Sequence, residues 1–522
     1  MLNIAELKTP GVYIDEVPTF PPSVAAVGTG IPAFIGYTKK AEDVLGRSLD
    51  NIPWRISSMN DYVTYFGDAA DEAPDAITVN IREWVKEQKK PGAADGDAPE
   101  LVTVAPPVIT VDVKEDKRTK YILYFCLQLY FANGGGPCYI ISVGKYGKDI
   151  QLGDPSIIDH TNVKYPGFLV GLEALKSEDE PTLIVIPESK YLASVDDYYA
   201  LQTASLKQCK YMQDRFAIMD VYGKAEDTTI SAISQSFRGG ISSNPEEVRY
   251  GGAYYPELET IYDFNFKEAN VSIVHKIRRI KLDGTPAVPD DPGAYDDQKL
   301  NGDIINHPDP KKRNSFFYER AKTEITSHTM RLPAAPAIAG IYASVDRDRG
   351  VWKAPANVSL ANVVKPTVKI TDEDQKDMNV DTSSGKSINA IRSFIGKGTL
   401  VWGARTLDGN NNDWRYVPVR RLFIMVEESV KKATYQFVFE PNDANTWVRV
   451  RAMIENFLTL LWRSGALAGT KPEQAFYVKV GLGQTMSGID ILEGRMIIEI
   501  GMAAVRPAEF IVLRFSHKMQ EA

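Results

Sequence analysis

Three helix–strand units in the first half of the chain constrain its fold more than any other feature. In each unit an apolar stretch with helical spacing precedes a short apolar stretch with the length of a buried strand. The three pairs are 119–132 with 138–143, 168–175 with 182–187, and 202–209 with 216–221. Repeated alternation of helices and strands is typical of α/β domains, in which helices cover a sheet. We therefore predict an α/β domain with a mixed sheet.

Length, charge and cysteine usage narrow the class of protein. A chain of 522 residues can bury several hydrophobic cores, so we expect about two to four domains. Its 60 basic and 68 acidic residues give a net charge of −8. This charge argues against a dedicated nucleic-acid binder, which needs a basic face to contact phosphates. The three cysteines form no CxxC pair, which favours buried thiols in a reducing cytoplasm. No signal peptide or membrane-spanning run is evident, so we expect no membrane insertion.

The last quarter of the chain predicts a compact module of two amphipathic helices and several strands. The first helix covers Arg420–Thr434, and the second begins after Asn442 or Asp443 and ends at Gly465, a residue suited to the left-handed end of a helix. Their apolar sides hold Leu422, Phe423, Val426 and Val430, and Trp447, Val450, Ile454, Phe457, Leu458 and Leu461. Strands are predicted at 435–440, 476–480, 495–500 and 510–516.

The N-terminal segment predicts one isolated strand at residues 12–17. Pro18, Pro21 and Pro22 follow it and exclude a helix or a local hairpin partner. Such a strand must join a sheet elsewhere, either in its own subunit or in a neighbouring one. In the middle of the chain we predict a surface helix at 77–90, an exposed insertion at 91–120 and a long surface loop within 267–330.

Several patterns typical of enzymes are present but incomplete. The triple glycine at 134–136 follows a helix and precedes a strand, the reverse of a nucleotide-binding loop. Ser384–Ser387 ends like a phosphate-binding loop, but Val380 occupies the position of its first glycine. Asp346 and Asp348 could hold a divalent cation, yet the interleaved Arg347 and Arg349 favour an ion-pair network. The five histidines show no zinc-binding spacing. We therefore expect no catalytic residue, no cofactor and no metal.

Short motifs spread along the chain resemble the contractile tail sheath family, which includes phage tails, R-type pyocins and extracellular contractile injection systems. Most lie near the C-terminus, although the PGVYI start and Gly350–Asn357 also fit. The C-terminal motifs are Trp402–Leu407, Val419–Phe423, Glu427–Ser429, Phe439–Asn442 and Pro507–Phe510. The resemblance therefore covers the chain from its first strand to its last, and is weakest at 91–120 and 267–329.

The resemblance implies a multi-domain α/β protein with exchanged strands. Residues 1–22 would be an arm that donates a strand to a neighbour, 23–340 an outer α/β region with insertions near 91–120 and 267–330, and 341–522 an inner, tube-facing sheath domain. The exchanged strands would contain Val12, Tyr13, Ile14, Asp15 and Glu16, and Phe510, Ile511, Val512, Leu513, Arg514 and Phe515.

The resemblance also implies the partners and the mechanism. Identical subunits would stack as hexameric rings around an inner tube, with baseplate and terminal cap proteins at the ends. They would assemble in the bacterial cytoplasm into a phage tail or a released tail-like particle. The polymer would form in a metastable extended state and contract to drive the tube through a target envelope. As tube contacts we predict the charged faces of the two C-terminal helices: Arg420, Arg421, Lys431, Lys432, Arg449, Arg451 and Glu455.

Three other interpretations of the sequence stay open at this point. Charged helix faces can simply be solvated or can pair between sheath subunits, without touching a tube. A static self-assembling shell or surface-layer protein would share strand exchange but would form one lattice, whereas a sheath forms two. A metabolic α/β enzyme is the remaining alternative.

Overall fold

The computed structural model describes residues 24–92, 94, 98–155, 167–293, 295–301 and 315–513. The strands are β1 Pro32–Thr38, β2 Trp54–Ile56, β3 Ile77–Gln88, β4 Glu100–Val113, β5 Cys138–Lys145, β6 Leu183–Val185, β7 Phe216–Asp220, β8 Gly251–Tyr255, β9 Leu258–Thr260, β10 Ser272–Ile280, β11 Asp291–Pro292, β12 Met330–Leu332, β13 Val358–Ser359, β14 Val363–Pro366, β15 Ile388–Phe394, β16 Gly398–Trp402, β17 Phe476–Lys479 and β18 Glu499–Met502. The α-helices are α1 Met59–Phe66, α2 Leu123–Ala132, α3 Phe168–Ala174, α4 Val195–Met212, α5 Ile230–Gly240, α6 Pro245–Val248, α7 Ser315–Thr326, α8 Ala335–Arg349, α9 Asp372–Asn379, α10 Val417–Thr434, α11 Ala444–Arg463, α12 Pro472–Ala475 and α13 Gly488–Leu492.

A mixed sheet of nine strands forms the centre of the molecule, in the order β13-β16-β15-β8-β7-β6-β1-β5-β2. The six strands from β15 to β5 run parallel, and antiparallel strands close both edges. All residues of β1 and β7 are buried, as expected for parallel strands covered on both faces. The predicted α/β fold with a mixed sheet is confirmed.

Alternate side chains of β1 show how helices cover the two faces of this sheet. The ring of Phe34 packs edge-to-face against Tyr130 of α2, with centroids 5.1 Å apart. Ile35 points the other way and lies against Gly171 of α3, where an added Cβ would come within 2.8 Å of its Cγ2. Helix α8 packs beside α2 so closely that a Cβ on Gly340 would meet the carbonyl oxygen of Tyr130 at 2.5 Å.

The predicted surface helix at 77–90 is wrong, because this segment is strand β3. It pairs in parallel with β10 and antiparallel with β4 in a second, four-stranded sheet. Ile77, Val79 and Ile81 are buried at every second position, which is the period of a strand. Its β-branched residues favour a strand as well. The predicted insertion at 91–120 accordingly contains β4, and the region 267–330 contains β10, β11 and α7.

Two hydrophobic cores divide the described chain. The larger one includes the nine-stranded sheet and continues as far as Val417 and Ile424. The smaller one joins Leu422 of α10 to α11, β17 and nearby segments; we call residues 417–505 the C-terminal unit. Strands β13, β15 and β16, which lie between residues 358 and 402, belong to the nine-stranded sheet. The boundary between the two cores therefore lies C-terminal to the domain boundary predicted between residues 340 and 341.

The two predicted C-terminal helices are present as α10 and α11. Asp443 caps α11 and accepts a hydrogen bond from the backbone N–H of Thr446 at 2.9 Å, and Gly465 follows with φ of +88°. The strand predicted at 435–440 is wrong, because Tyr435–Phe437 form a 3₁₀ turn at the end of α10. The strand predicted at 476–480 is confirmed as β17, and the one predicted at 495–500 lies slightly later, as β18.

Candidate functional site

A two-stranded sheet in the C-terminal unit offers pairing edges. Strands β17 and β18 pair antiparallel over four residues each, from Phe476↔Met502 to Lys479↔Glu499. Within the described residues neither strand pairs with a third one. An isolated pair of short strands is marginally stable in water, and a free edge is a template for another strand. This sheet can therefore accept a strand on either side.

Four consecutive apolar residues near the C-terminus lie in solvent. Phe510, Ile511, Val512 and Leu513 are 71 to 80% exposed and form no strand within the described chain. Exposed apolar runs of this kind mark interaction sites. The predicted exchanged residues Arg514 and Phe515 lie outside the described residues, as do Val12, Tyr13, Ile14, Asp15 and Glu16 of the arm.

The segment that follows the predicted arm is held against helix α10. Val24 is buried in the smaller core. The backbone N–H of Val27 donates to the Ser429 hydroxyl at 3.0 Å, and the carbonyl of Thr29 accepts from Arg421 Nη2 at 2.8 Å. The first described residues are therefore fixed to α10, which lies between the two cores.

Arg420 and Arg421, two of the predicted tube contacts, are buried rather than exposed. Arg421 forms a bidentate ion pair with Asp346, at 3.0 and 2.5 Å, and both side chains are about 95% buried. Arg420 pairs with Glu427 at 2.6 Å and stacks over Trp414. The prediction that these two residues lie on an exposed face is wrong, because α10 lies between two cores and both guanidinium groups are covered, although Glu427 itself is 46% exposed. Asp346, which the sequence offered as a possible cation ligand, is thus the ion-pair partner of Arg421.

Three of the other predicted tube contacts remain at the surface. Lys431 and Lys432 are about half exposed and both pair with the buried Glu428. Arg449 is 52% exposed and pairs with Glu440 at 3.1 Å. These side chains can reach a partner because their ion pairs are open to solvent, where such pairs contribute little stability.

The last two predicted tube contacts are partly buried. Arg451 donates from Nη2 to the carbonyl of Val480 at 3.1 Å and to Gln484 at 3.2 Å. Glu455 lies with Glu473 in a surface groove between α11 and β17. Arg451 therefore links α11 to the loop after β17, and Glu455 stays close to the pairing edge.

A buried polar cluster at the carboxyl ends of β6, β7 and β8 was missed in the sequence. Lys190 pairs with Glu257, which also accepts from the Tyr222 hydroxyl at 3.0 Å. Asp220 accepts from the backbone N–H groups of Ala334 and Ala335, at 2.6 and 2.9 Å, at the start of α8. Glu188 accepts from the N–H groups of Tyr37 and Leu123. The polar residues just after three buried strands were the available signal.

The protonation of this cluster follows from its burial. Burial raises the pKa of Glu188 to about 8 and that of Asp220 to about 7, outweighing the backbone N–H donors. Burial tends to raise the pKa of Glu257 as well, but the adjacent Lys190 ammonium outweighs this effect and leaves the pKa of Glu257 below its ordinary value. Each group already has a partner inside the fold, so the cluster joins three strands to α8 and to one another.

Neither a metal-binding cluster nor a membrane-spanning helix occurs in the part of the chain that the structure describes. No group of three or more His, Cys, Asp or Glu residues there could hold a metal ion. None of the described helices is long and apolar enough to cross a membrane. The thiols of Cys126, Cys138 and Cys209 are buried and unpaired.

Comparison with known proteins points to one family. The family model for the phage tail sheath C-terminal domain matches residues 409–518. The tail sheath protein of Burkholderia phage BcepMu is 30% identical over 174 residues, which are 32% of this chain and 36% of the relative. The resemblance to tail sheath proteins is confirmed. In that alignment the chain spans about a third of the length of its curated relative.

Solved sheath structures match over almost the whole chain. The sheath of PVC, an extracellular contractile injection system, in its contracted state is 28% identical, with a TM-score of 0.58 over 98% of both chains. The helical sheath of the anti-feeding prophage AFP in its contracted state is 28% identical, with a TM-score of 0.57, over 98% of this chain and all of the other. The likeness thus includes the nine-stranded sheet as well as the C-terminal unit.

Proposed function

We propose that this chain is the structural subunit of a contractile sheath that polymerises helically around an inner tube and contracts to drive the tube through a target envelope. The match to contracted sheath structures over 98% of the chain carries this proposal. The role is structural and non-catalytic. The subunit is made and assembled in the bacterial cytoplasm as part of a phage tail or a tail-like particle, with baseplate and cap proteins as further partners.

Strand exchange would hold the polymer together. Within its described residues each copy has a two-stranded sheet with free outer edges and an exposed apolar segment, Phe510–Leu513. Residues 12–17 supply a second strand-forming segment in the sequence. A neighbour's segments added to β17 and β18 would give four strands, which is a stable size for a sheet. Backbone hydrogen bonds across such edges would persist while the larger domains rotate as rigid bodies.

Assembly would supply the energy for contraction. In the extended state the subunits are metastable, and the contracted lattice buries more surface between them. Interface burial stabilises by roughly 25 cal/mol per Å² of apolar area, so a modest gain per subunit becomes large over a polymer. This mechanism needs no nucleotide, and the buried cluster at the strand ends is already engaged within the fold.

Exposed basic residues of the two C-terminal helices would contact the tube. Lys431, Lys432 and Arg449 are the candidates whose charges reach solvent. Polar contacts suit a surface that must dissociate from the tube during contraction, because each exposed ion pair contributes only about 1 kcal/mol or less. Buried Arg420 and Arg421 would instead hold α10 in place behind this surface.

Negative-stain electron microscopy of the purified chain tests the sheath proposal. We expect hollow striated tubes from the full chain and soluble particles from a truncation lacking residues 1–22. Ile14→Pro provides a finer test, because it removes one backbone donor from the arm while keeping its length. Discrete globular particles from the full chain, under conditions in which related sheaths polymerise, would contradict the proposal. Tubes from the truncation would contradict the arm alone.

Charge reversal tests the tube contact separately. We expect Lys431→Glu with Arg449→Glu to prevent decoration of purified inner tubes while the thermal midpoint of the monomer stays unchanged. Lys207→Glu, an exposed residue of α4 outside the C-terminal unit, is the matched control and should decorate tubes normally. Normal decoration by the double variant would remove these two residues from the tube interface.

A further inference from the structure

Two sequence motifs that lie a hundred residues apart meet in one contact. Arg405 belongs to Trp402–Leu407 after β16, and Glu509 to Pro507–Phe510. The Arg405 side chain is 4% exposed and donates to both carboxylate oxygens of Glu509, at 3.0 Å from Nε to Oε1 and 2.6 Å from Nη2 to Oε2. Bidentate pairs of this kind fix orientation as well as distance.

Other residues of the part of the chain before the C-terminal unit, here called the large domain (described residues 24–416), hold the same carboxylate. Asn379, at the end of α9, donates to Oε1 at 2.7 Å, and the hydroxyl of Tyr416, at the start of α10, donates to Oε2 at 3.1 Å. The backbone N–H of Arg405 donates to Asn389 of β15 at 2.8 Å. Burial tends to raise the pKa of Glu509, but these donors outweigh it and leave the pKa below its ordinary value. Glu509 is therefore anchored as a carboxylate.

This anchor stands between two different environments of the chain. Just before it, the N–H of Val505 donates to the carbonyl of Ala466 at 3.2 Å, which ties the end of β18 to the C-terminal unit. Just after it come the exposed apolar residues 510–513. The chain thus crosses from the C-terminal unit to the large domain, is fastened at Glu509, and then enters solvent.

We propose that the Arg405–Glu509 contact, here called the latch, fixes the point at which Phe510–Leu513 leave the subunit and so presents them to the β17–β18 sheet of a second copy. This inference rests on the proposed sheath function. A free tail would lose much conformational freedom on docking, and a fixed exit point removes part of that loss beforehand. A second copy is the occupant because the described part of every copy carries both a free sheet edge and an apolar strand-length segment.

Glu509→Gln tests the latch with little change in shape. The amide lacks the negative charge and replaces one acceptor oxygen by a donor, so the bidentate contact is lost. The matched control is Arg506→Gln in the same segment, since the Arg506 side chain is about half exposed and its pair with Asp413, at 3.4 Å, is open to solvent. For each variant the thermal midpoint, the critical concentration for tube assembly and the rate of tryptic cleavage at Arg514 are measured.

We expect Glu509→Gln to raise the critical concentration about tenfold, the size of effect that corresponds to one charged hydrogen bond. Cleavage at Arg514 should be faster in the monomer, and the midpoint should stay within about 3 °C. Arg506→Gln should match the natural chain in all three measurements. Arg405→Lys keeps the charge but not the paired geometry, and should shift assembly in the same direction.

The outcomes separate the latch from the sheath proposal. If the natural chain forms tubes and both latch variants form them at the same concentration, the latch is wrong and the sheath proposal stands. If the natural chain forms no tubes, the sheath proposal fails and the latch with it. If both variants unfold, the contact serves folding rather than presentation, and the latch is overturned.

Discussion

Asp346→Asn should strongly destabilise the protein, because it leaves the Arg421 guanidinium buried without its counter-charge. The pair is bidentate and both side chains are about 95% buried, so solvent screens it little. Breaking such a pair on one side costs about 3 to 5 kcal/mol. Asparagine keeps one acceptor oxygen, and we therefore expect the lower end of this range, roughly 3 kcal/mol. Arg421 also holds Thr29 and lies over Tyr342, so the loss should loosen the start of the described chain.

The assay is urea unfolding of the monomer, followed by tryptophan fluorescence. Asp348→Asn is the control: Asp348 is 61% exposed, and its pair with Arg347 at 3.2 Å should contribute less than about 1 kcal/mol. The double variant Asp346→Leu with Arg421→Met removes both charges and should recover most of the stability. A loss below about 1 kcal/mol for Asp346→Asn, equal to the control, would refute the assignment of a buried pair.

Three further predictions follow from single residues. Leu458→Ala in α11 should cost about 2 to 5 kcal/mol in urea unfolding, because Leu458 is fully buried; exposed Leu460→Ala should change little, and equal losses would contradict the assigned helix face. Asp443→Ala should lower stability by about 1 kcal/mol through loss of the α11 cap, and an unchanged thermal midpoint would count against it. Because burial raises the pKa of Glu188 to about 8, above the ordinary value near 4.5, its contribution is fully present below about pH 4.5 and is lost as pH rises to about 8. Glu188→Gln should flatten this part of the pH profile of unfolding, and an unchanged profile would show that Glu188 is already ionised.

Local sequence patterns predicted secondary structure correctly where the apolar residues of a segment fit one period only. Helix α11 has an apolar stripe every three to four residues, an aspartate cap and a terminal glycine, and each occurs where predicted. The alternation of apolar helices and strands likewise predicted the central sheet. The prediction failed where the period was ambiguous, as in β3. Ile77, Ile81, Trp84 and Val85 have the spacing of one helix face, whereas Ile77, Val79 and Ile81 alternate as in a strand.

The candidate site shows the same division between local and distant information. The apolar character of residues 510–513 is visible in the sequence, and so are the motifs that contain Arg405 and Glu509. Their meeting is not, because the carboxylate and the guanidinium come together only when the chain crosses back to the large domain. The charges of Arg420 and Arg421 predicted an exposed face, whereas the fold buries both beside partners.

By itself the sequence predicted strands β5, β6 and β7, helices α10 and α11, and the resemblance to tail sheath proteins, because periodicity and short motifs are local properties. Only the tertiary structure decided which charges are buried, which sheet edges stay open and where the C-terminal segment leaves the subunit. Those properties depend on contacts between residues as far apart as Thr29 and Arg421, or Arg405 and Glu509. Burial of a charge is set by what the rest of the chain packs around it, and no local pattern records that.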